Sequence, residues 1–558
     1  MDAPRILIVT GGYLAEGENR LLGTAWKQLV QSKHARNAWL EAKVKATIAE
    51  PVLLARMHAA RRGRRLDPAV HALFAPDATP PPPPLTEVVL ATAIAREGLA
   101  IETLSVDALL RGTRAAEASL RACGVVFIST TFLHDWSELD PVLARCRRLG
   151  NRVVVGGALA GTLHQEWEGS PLVDVLAVGY GEYLVPSLAR WIHSGFVRLE
   201  PPPTGRLLQR GPTALLFSGV PGTLSLDELQ RPDWGLAARH HGVRYRTIHY
   251  ESVRGCPYRC AFCNYPYLFD DTRFRTKSAD RMADDWAYYV ESLGVEVITC
   301  LDSLFTMPTR RLTSFCEALI QRRVRVKWTC YARADDLNDP AIVALMRDAG
   351  CVQVQIGIES GDAGQLDRMT KRTTVRENGL ALDTCRAAGL TTVISLIVGF
   401  PGETRATLAN TCDFLADHPS DFHFLATFST RVAGVPILQP ARAAVHGLVT
   451  DANPRTVSPY WRHDTMSCAD VGNHTRRVAR ALIDRRISLD ATLFYGGILR
   501  YEPAMRPALL DFQAEAMATA PIMSRAFDVV HRWIDRRLAA DVARALAVPF
   551  TAQAKLAV

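Results

Sequence analysis

Arg254-Gly-Cys-Pro-Tyr-Arg-Cys-Ala-Phe-Cys-Asn264 places Cys256, Cys260 and Cys263 in a C-x3-C-x2-C pattern. Three thiolates this close cannot cross-link one another neatly, and an odd-numbered set points to metal. Soft thiolate ligands favour iron-sulfur clusters, zinc or copper(I). Ordinary electron-transfer clusters take four cysteines at other spacings, and zinc wants a fourth Cys or His nearby. A cluster held by three protein ligands leaves one metal position open, which points to catalysis. A zinc loop or three unrelated thiols is the plainer alternative.

Apolar runs recur downstream of this loop. Thr247–Val253 reads as a strand that delivers the loop at its carboxyl end, and Val295–Leu301, Val326–Tyr331, Cys351–Ile358, Thr392–Val398 and Phe422–Thr427 read as five more. Helical patterns such as Arg311–Arg322, Pro340–Ala349 and Val375–Ala388 lie between them. Strands alternating with helices predict a parallel sheet with its active end at the strand carboxyl termini.

The cysteine pattern, with Phe262 directly before the third cysteine, resembles the signature of radical S-adenosylmethionine (SAM) enzymes. That resemblance implies a partial (β/α)6 barrel over residues 247–440. It also implies a 4Fe-4S cluster on Cys256, Cys260 and Cys263, whose open iron chelates SAM. The stretch from Ile356 to Lys371, followed by Val398-Gly-Phe-Pro-Gly-Glu-Thr404, carries the likeness further. By it, Glu359 and Ser360 serve the ribose and amino-acid side of SAM, Arg333 its carboxylate or ribose, and Gly399, Pro401 and Gly402 the adenine edge. Phe262 and Asp302 join the same set. For Asp302 and Lys371 a surface or helix-cap role stands beside the ligand role. A lone carboxylate at the apolar strand end of Glu359 is costly unless it is used.

Upstream, Arg5–Thr10, Leu99–Val106, Gly124–Ser129, Arg152–Val155 and Val173–Val178 are strand-like runs separated by helical patterns, predicting a doubly wound, flavodoxin-like sheet over residues 1–191. Their ends carry Ser129-Thr-Thr131, Gly156-Gly157 and Gly179-Tyr-Gly-Glu182. This order resembles the cobalamin-binding domain that precedes the barrel in many radical SAM enzymes. It implies that Ser129, Thr130, Thr131, Gly156, Gly157, Gly179, Gly181 and Glu182 line the pocket for the nucleotide tail and lower corrin face. The D-x-H-x-x-G motif that gives other cobalamin proteins a histidine ligand is absent, so cobalt is expected to lack a histidine from that motif.

An insertion of about residues 12–84 separates the first strand from its helix. It holds helix formers, Arg61, Arg62, Arg64 and Arg65, and the five prolines Pro80–Pro84, a stiff spacer. Its arginines read as a solvated face, or as a helical flap with an arginine at the lower corrin face. Residues 192–246, with Glu200-Pro-Pro-Pro203 and a Leu226–Trp234 segment like the L-D-E-L-P-x-P-D-W joint of such enzymes, read as a linker. Residues 441–558 show helical periodicity at Arg476–Ile487 and Ile522–Ala545 and are expected to shape the substrate site. Tyr460 and His463 are expected either at a helix start or against substrate.

The chain has 558 residues, 48% apolar and 22% charged, with a net charge of +8. The length suggests roughly three or four domains. So small a net charge, without a basic stripe interleaved with aromatics, gives no sign of a nucleic-acid partner. No signal segment opens the sequence, and no apolar stretch is long enough for a span, so a cytoplasmic, membrane-free protein is expected. Twelve cysteines without short-range pairing outside the loop are not a disulfide framework, and Cys123, Cys300, Cys330 and Cys351 read as packing residues.

Together the two resemblances imply a cobalamin-dependent radical SAM C-methyltransferase acting on a natural-product precursor or peptide. An electron donor such as flavodoxin or ferredoxin would drive it. SAM cleavage would give a 5'-deoxyadenosyl radical, and methylcobalamin would supply the methyl group. Three other outcomes stay open: a cyclase or ring-rearranging enzyme with both cofactors, polar methylation of an aromatic carbon, and a non-enzymatic cluster and cobalamin sensor.

Overall fold

The computed structural model describes residues 5–12, 38–74, 80–133, 136–165, 167–223, 225–268, 273–429, 434–451, 460–518 and 521–547. Two seven-stranded sheets organise them. The first holds β1 (Ile6–Thr10), β2 (Ile101–Ser105), β3 (Val125–Ser129), β4 (Arg152–Gly156), β5 (Val175–Val178), β6 (Arg206–Arg210) and β7 (Thr213–Phe217), in the order β2-β1-β3-β4-β5-β7-β6. All neighbours are parallel except β6 against β7.

The near-continuous apolar runs of β1, β3, β4 and β5 follow from burial on both faces. Because side chains alternate along a strand, Ile6 and Ile8 pack with Ala91, Ile94, Leu184 and Leu188 of helices Leu85–Arg96 and Gly181–His193. Leu7 and Val9 point the other way, into a core with Leu109, Val142 and Leu143. The stretch expected as a linker is therefore only partly one. Residues 206–217 form a hairpin that extends this sheet, with β7 pairing in parallel to β5. The run was hidden because β6, Arg-Leu-Leu-Gln-Arg, is largely exposed and shows no apolar period.

The second sheet begins at β8 (Thr247–Tyr250), and a short antiparallel ribbon, β9 (Val253–Arg254) with β10 (Arg275–Thr276), brackets the cysteine loop. β11 (Val297–Cys300), β12 (Lys327–Arg333), β13 (Cys351–Glu359), β14 (Thr391–Val398) and β15 (Phe422–Thr427) follow. After a small ribbon of β16 (Val449–Thr450), β17 (Trp461–His463) and β18 (Met466–Ser467), β19 (Leu489–Asp490) adds a seventh strand beside β15. The order β19-β15-β14-β13-β12-β11-β8 is parallel throughout, a partial barrel. Its flanking helices start on side-chain caps: Ser278, Asp339 and Asp362 each accept a backbone N–H of the first turn, and Thr374 forms a capping box with Glu377. Trp286, Phe305, Phe315 and Trp328 make a buried aromatic knot under the outer helices, with centroids 4.8–6.4 Å apart.

Helix Ala38–Arg62 of the insertion packs against helices Cys468–Asp484, Arg506–Ala518 and Pro521–Ala545. Buried Lys43 pairs with Asp535 at 2.6 Å and donates to Asn473 at 2.9 Å, and Arg476 grips Glu50 at 2.8 and 3.0 Å. This corrects the flap expectation for residues 38–74, which includes Arg61, Arg62, Arg64 and Arg65: they belong to the carboxyl-terminal helical layer. The rest of the flap, residues 13–37 and 75–79, lies outside the described residues. No helix among the described residues is long and apolar enough to cross a membrane.

Candidate functional site

The cysteine loop is stapled at both ends before its thiols come into play. Gly255 has φ +73°, and a Cβ there would lie 2.0 Å from the Arg273 carbonyl oxygen across the ribbon, so only glycine lets the chain turn into Cys256. Asp302, at the end of β11, accepts the backbone N–H groups of Ser252 (2.6 Å) and Val253 (2.7 Å) and the Ser252 hydroxyl (2.7 Å). Ser303 donates to the Gly255 carbonyl at 3.1 Å. Further on, the Ala261 N–H reaches the Met369 carbonyl at 2.8 Å and its own carbonyl accepts from Ile437 at 3.1 Å. Asp302, expected at SAM, is thus spent on holding the strand that carries the loop. Burial raises its carboxyl to about 6, while the Ser252 hydrogen bonds act in the opposite direction.

Cys260 is buried, and Cys256 and Cys263 are half-buried. Burial raises the Cys256 thiol and takes Cys263 up to about 12, with the neighbouring thiols adding to both. Among the described residues no three His, Cys, Asp or Glu side chains are close enough to share a single metal ion, these thiols included. Soft thiolate donors of this kind fit an iron-sulfur cluster held at three of its four irons.

Around the loop, the expected SAM residues separate into two groups. One group faces the loop. Glu359 sits at φ +62° on an irregular step of β13, and its carboxylate accepts from Lys371 Nζ at 2.8 Å. Lys371 in turn lies 5.8 Å from the Phe262 ring centroid, and Phe262 packs edge-on to Phe400 at 6.4 Å. A Cβ on Gly357 would come within 2.6 Å of Glu359 Oε1 and 2.8 Å of Lys371 Nζ, so this glycine leaves the pair its space.

The other group braces the frame. The Arg333 guanidinium donates to Asp335 (2.9 Å) and to the carbonyls of Lys371 (2.8 Å) and Arg372 (3.2 Å), and lies 3.8 Å from the Tyr258 ring centroid, fixing the middle of the loop. Ser360 Oγ shares a hydrogen bond with Thr411 Oγ1 at 3.2 Å and accepts from the Asp362 N–H at 3.1 Å. At Gly399 (φ +89°) a Cβ would meet Val471 at 2.5 Å, and at Gly402 (φ +87°) the Arg368 side chain at 2.6 Å. Pro401 is buried between them. Sequence reasoning missed Glu403 of the same Gly-Phe-Pro-Gly-Glu run: its carboxylate accepts the Gly399 N–H, and burial raises it to about 8. His463 stacks on Trp461 (5.3 Å, 3° between planes), with Nε2 3.2 Å from the Gly399 carbonyl oxygen. It lies in β17, not at a helix start, and Tyr460 is buried just before that strand.

A cavity of about 340 Å³ opens at the carboxyl edge of the first sheet. Ser129, Thr131, Gly156, Gly157, Gly179, Gly181 and Glu182 all line it. Thr130 does not. Its hydroxyl donates to the Gly156 carbonyl at 2.7 Å, tying β3 to β4. The apolar walls Leu85, Val89, Leu184, Val185 and Leu188 come from the two helices that flank the slot; their helical spacing reads as ordinary core, so nothing in the sequence marks them. The far wall belongs to the barrel, through Glu251, Arg254, Tyr265, Leu268 and Leu301.

The two units meet at this wall. Arg254 forms an ion pair with Glu182 and a second with Glu251 at 2.8 Å. The guanidinium groups of Arg254 and Arg275 lie over the buried Tyr180 ring, 4.7 and 4.8 Å from its centroid. Cation-ring contacts of this kind strengthen when desolvated. An apolar slot with a polar mouth, walled on its open side by the loop that carries three cysteines, can hold one large cofactor against another.

Residues 250–415 match the family model of the Radical SAM superfamily. The chain is 27% identical over 278 residues to an anaerobic magnesium-protoporphyrin IX monomethyl ester cyclase of Rubrivivax gelatinosus, covering 48% of this chain and 50% of that protein. It is 27% identical over 253 residues to an uncharacterized methyltransferase of Pyrococcus horikoshii, covering 44% and 53% respectively. It therefore spans about half the length of these curated relatives. Among solved structures, the radical SAM methyltransferase TsrM of Kitasatospora setae with cobalamin and a [4Fe-4S] cluster bound superposes with a TM-score of 0.57 at 18% identity, over 79% of this chain and 97% of that one. The same enzyme with tryptophan and a SAM analogue bound gives a TM-score of 0.53 at 20% identity, over 67% and 77%. The shared fold thus runs through both units.

Proposed function

We propose that this chain, whose residues 250–415 are a radical SAM domain, is a cobalamin-dependent radical SAM C-methyltransferase acting on a small natural-product precursor or peptide. The observation that carries this reading is the shared wall. The slot at the first sheet is closed by Arg254, Tyr265 and Leu268, which flank the three cysteines in sequence.

Cys256, Cys260 and Cys263 would hold the cluster; Phe262, Glu359 and Lys371 would face SAM; and the slot between helices Leu85–Arg96 and Gly181–His193 would take the nucleotide tail of cobalamin. When bound, the cluster and SAM supply a carbon-centred radical and methylcobalamin supplies the methyl group. The chain's own part is placement. Asp302 and Arg333 hold the loop, the Arg254–Glu182 contact holds the slot against it, and the aromatic wall of Phe262, Phe400 and Phe428 excludes water. An acidic one-electron donor and a reducing cytoplasmic setting complete the reading; the cysteines of the described residues are all free thiols.

Anaerobic turnover with methyl-labelled SAM tests it. Label in the product together with 5'-deoxyadenosine and S-adenosylhomocysteine supports radical methylation. Unlabelled product sinks methylation and selects the ring-forming chemistry named in the cyclase relative. Label without deoxyadenosine selects polar transfer.

A further inference from the structure

We propose that this chain selects a neutral aromatic amide as its substrate, through Tyr331, Gln355 and Ser395 on the inner face of the barrel, a proposal that rests on the function above. The strands of the second sheet have two unlike faces. On one, Cys330, Val354, Ile356 and Ile394 are buried in a single core with Leu382 and Cys385 of helix Val375–Ala387, so this face is the outer one. The positions between them point inward, and the register sets Tyr331 beside Gln355 and Ser395 beside Phe424. None of these four is fully buried. Tyr331, Gln355 and Ser395 are half-buried, and Phe424 is 42% exposed. Leu301, two residues past the inward Thr299, is 41% exposed, and Tyr495 is 73% exposed. Open apolar and aromatic surface around a few converging polar groups is the form of a small-molecule site.

The polar groups have a definite pattern. Gln355 Nε2 donates to Ser395 Oγ at 3.1 Å, which leaves the Gln355 carbonyl oxygen to accept and the Ser395 hydroxyl to donate. The Tyr331 phenol is a second donor; burial raises it and the neighbouring Tyr495 hydroxyl adds to the effect, so it keeps its proton. One acceptor beside two donors matches the N–H and C=O of an amide, and Phe424 and Tyr495 offer aromatic surface to a ring. Charge is missing at this level. The described charges nearby lie at the carboxyl rim and are engaged: Glu251 with Arg254, Asp302 with Ser252, Arg333 with Asp335, and Glu359 with Lys371. Lys327 stands exposed at the amino end of β12, and burial takes His249 to about 4, which leaves it neutral. A free amino acid would bury an ammonium and a carboxylate without counter-charges, a cost that an amide avoids. The seat lies between the two proposed cofactors: Leu301 also walls the corrin slot, and Gly357, paired with Ser395, stands beside Glu359 and Lys371.

The test measures binding of three probes to the reconstituted, cobalamin-loaded chain by equilibrium dialysis: N-acetyl-phenylalaninamide, free phenylalanine, and N-acetyl-leucinamide, which keeps the amides and loses the ring. The phenylalaninamide is expected to bind about tenfold or more tighter than either of the others, the worth of one good hydrogen bond or ring contact. Gln355→Leu keeps the volume and removes both polar atoms, so it should erase the preference over free phenylalanine. Ser395→Ala, which deletes a single atom, should reduce that preference in a chain of unchanged melting temperature. Phe424→Ala should erase the preference over the leucinamide. Equal binding of the three probes, binding of none at millimolar concentration, or a preference untouched by Gln355→Leu and Ser395→Ala overturns the proposal. The labelling experiment above fails separately: unlabelled product with the amide preference intact removes methylation and leaves this site in place, and labelled product without the preference does the reverse.

Discussion

Arg254, two residues before the first cysteine of the loop, is ion-paired to Glu182, the second residue of helix Gly181–His193 at the carboxyl edge of the first sheet. Both side chains are mostly buried, at 9% and 18% exposure. This contact ties the slot to the cysteine loop, so on the proposed function cobalamin and the cluster would be placed together. Tyr180, under the guanidinium groups of Arg254 and Arg275, completes the joint.

Removing the charge at this joint should therefore be felt in both halves. Glu182→Gln keeps the shape and leaves Arg254 its Glu251 partner, so the fold should survive with a loss of about 1.5–3 kcal/mol, the worth of a hydrogen bond to a charged group. Titration with hydroxocobalamin should show weaker binding than in the unmodified chain. Unchanged cobalamin affinity and unchanged thermal stability together would refute the coupling.

The three thiols should act as a set. Replacing any one of Cys256, Cys260 or Cys263 with Ala is expected to drop iron and sulfide per chain after reconstitution to near background, because a cluster held at only three of its four irons has no protein ligand to spare. Circular dichroism should stay native, since the staples through Asp302, Ser303 and Ala261 do not involve the thiols. A single-site variant that keeps its full iron content would remove that cysteine from the ligand set.

Glu403 should give stability a pH slope of known sign. Its folded value, raised to about 8 by burial with Asp362 adding to the effect, lies above its ordinary 4.5. The folded state therefore favours the protonated form. The stability this contributes is whole below pH 4.5 and is lost as pH rises through 8. His249, depressed by burial to about 4, works in the opposite sense only below its ordinary 6.5. Between pH 6.5 and 8 the difference in melting temperature between the unmodified chain and Glu403→Gln should isolate Glu403, with the variant flatter. Parallel curves would contradict the assignment.

Local pattern reached as far as local physics does. Most strands of both sheets are continuous apolar runs or follow from alternation, and the cysteine loop is a short-range motif, so these were legible; the exposed β6, its partner β7 and the two-residue β19 were not. Ser129, Thr131 and the paired glycines could be placed at the carboxyl edge of the first sheet, where they line the cavity, because strand ends mark it. Asp302, Ser360 and Gly399 could not be sorted in the same way, since a carboxylate, a hydroxyl or a glycine at a strand end serves equally to hold a ligand or to hold the backbone; their contacts with Ser252, Thr411 and Val471 lie far off in the sequence. The seat of helix Ala38–Arg62 depends on Lys43 meeting Asn473 and Asp535, a pairing across more than 400 residues that no window on the chain contains.

Gly357 offers the sharpest probe of the loop-facing pair. Its backbone does not need glycine, as it is absent from the positive-φ positions that include Glu359 two residues later. What stands where its Cβ would go are the ends of two flexible side chains, Glu359 Oε1 and Lys371 Nζ, which can move at small cost to the fold. Gly357→Ala should therefore leave the melting temperature within about 2–4 °C, the shift that a change of about 1 kcal/mol makes in a domain of this size, while pushing Glu359 and Lys371 out of register. If that pair faces SAM, equilibrium binding of SAM to the reconstituted chain should fall about tenfold or more, as expected for a lost charge-assisted contact of at least 1.4 kcal/mol. Normal SAM affinity in a variant of normal stability would assign Glu359 and Lys371 to each other alone and move the ligand elsewhere on the barrel.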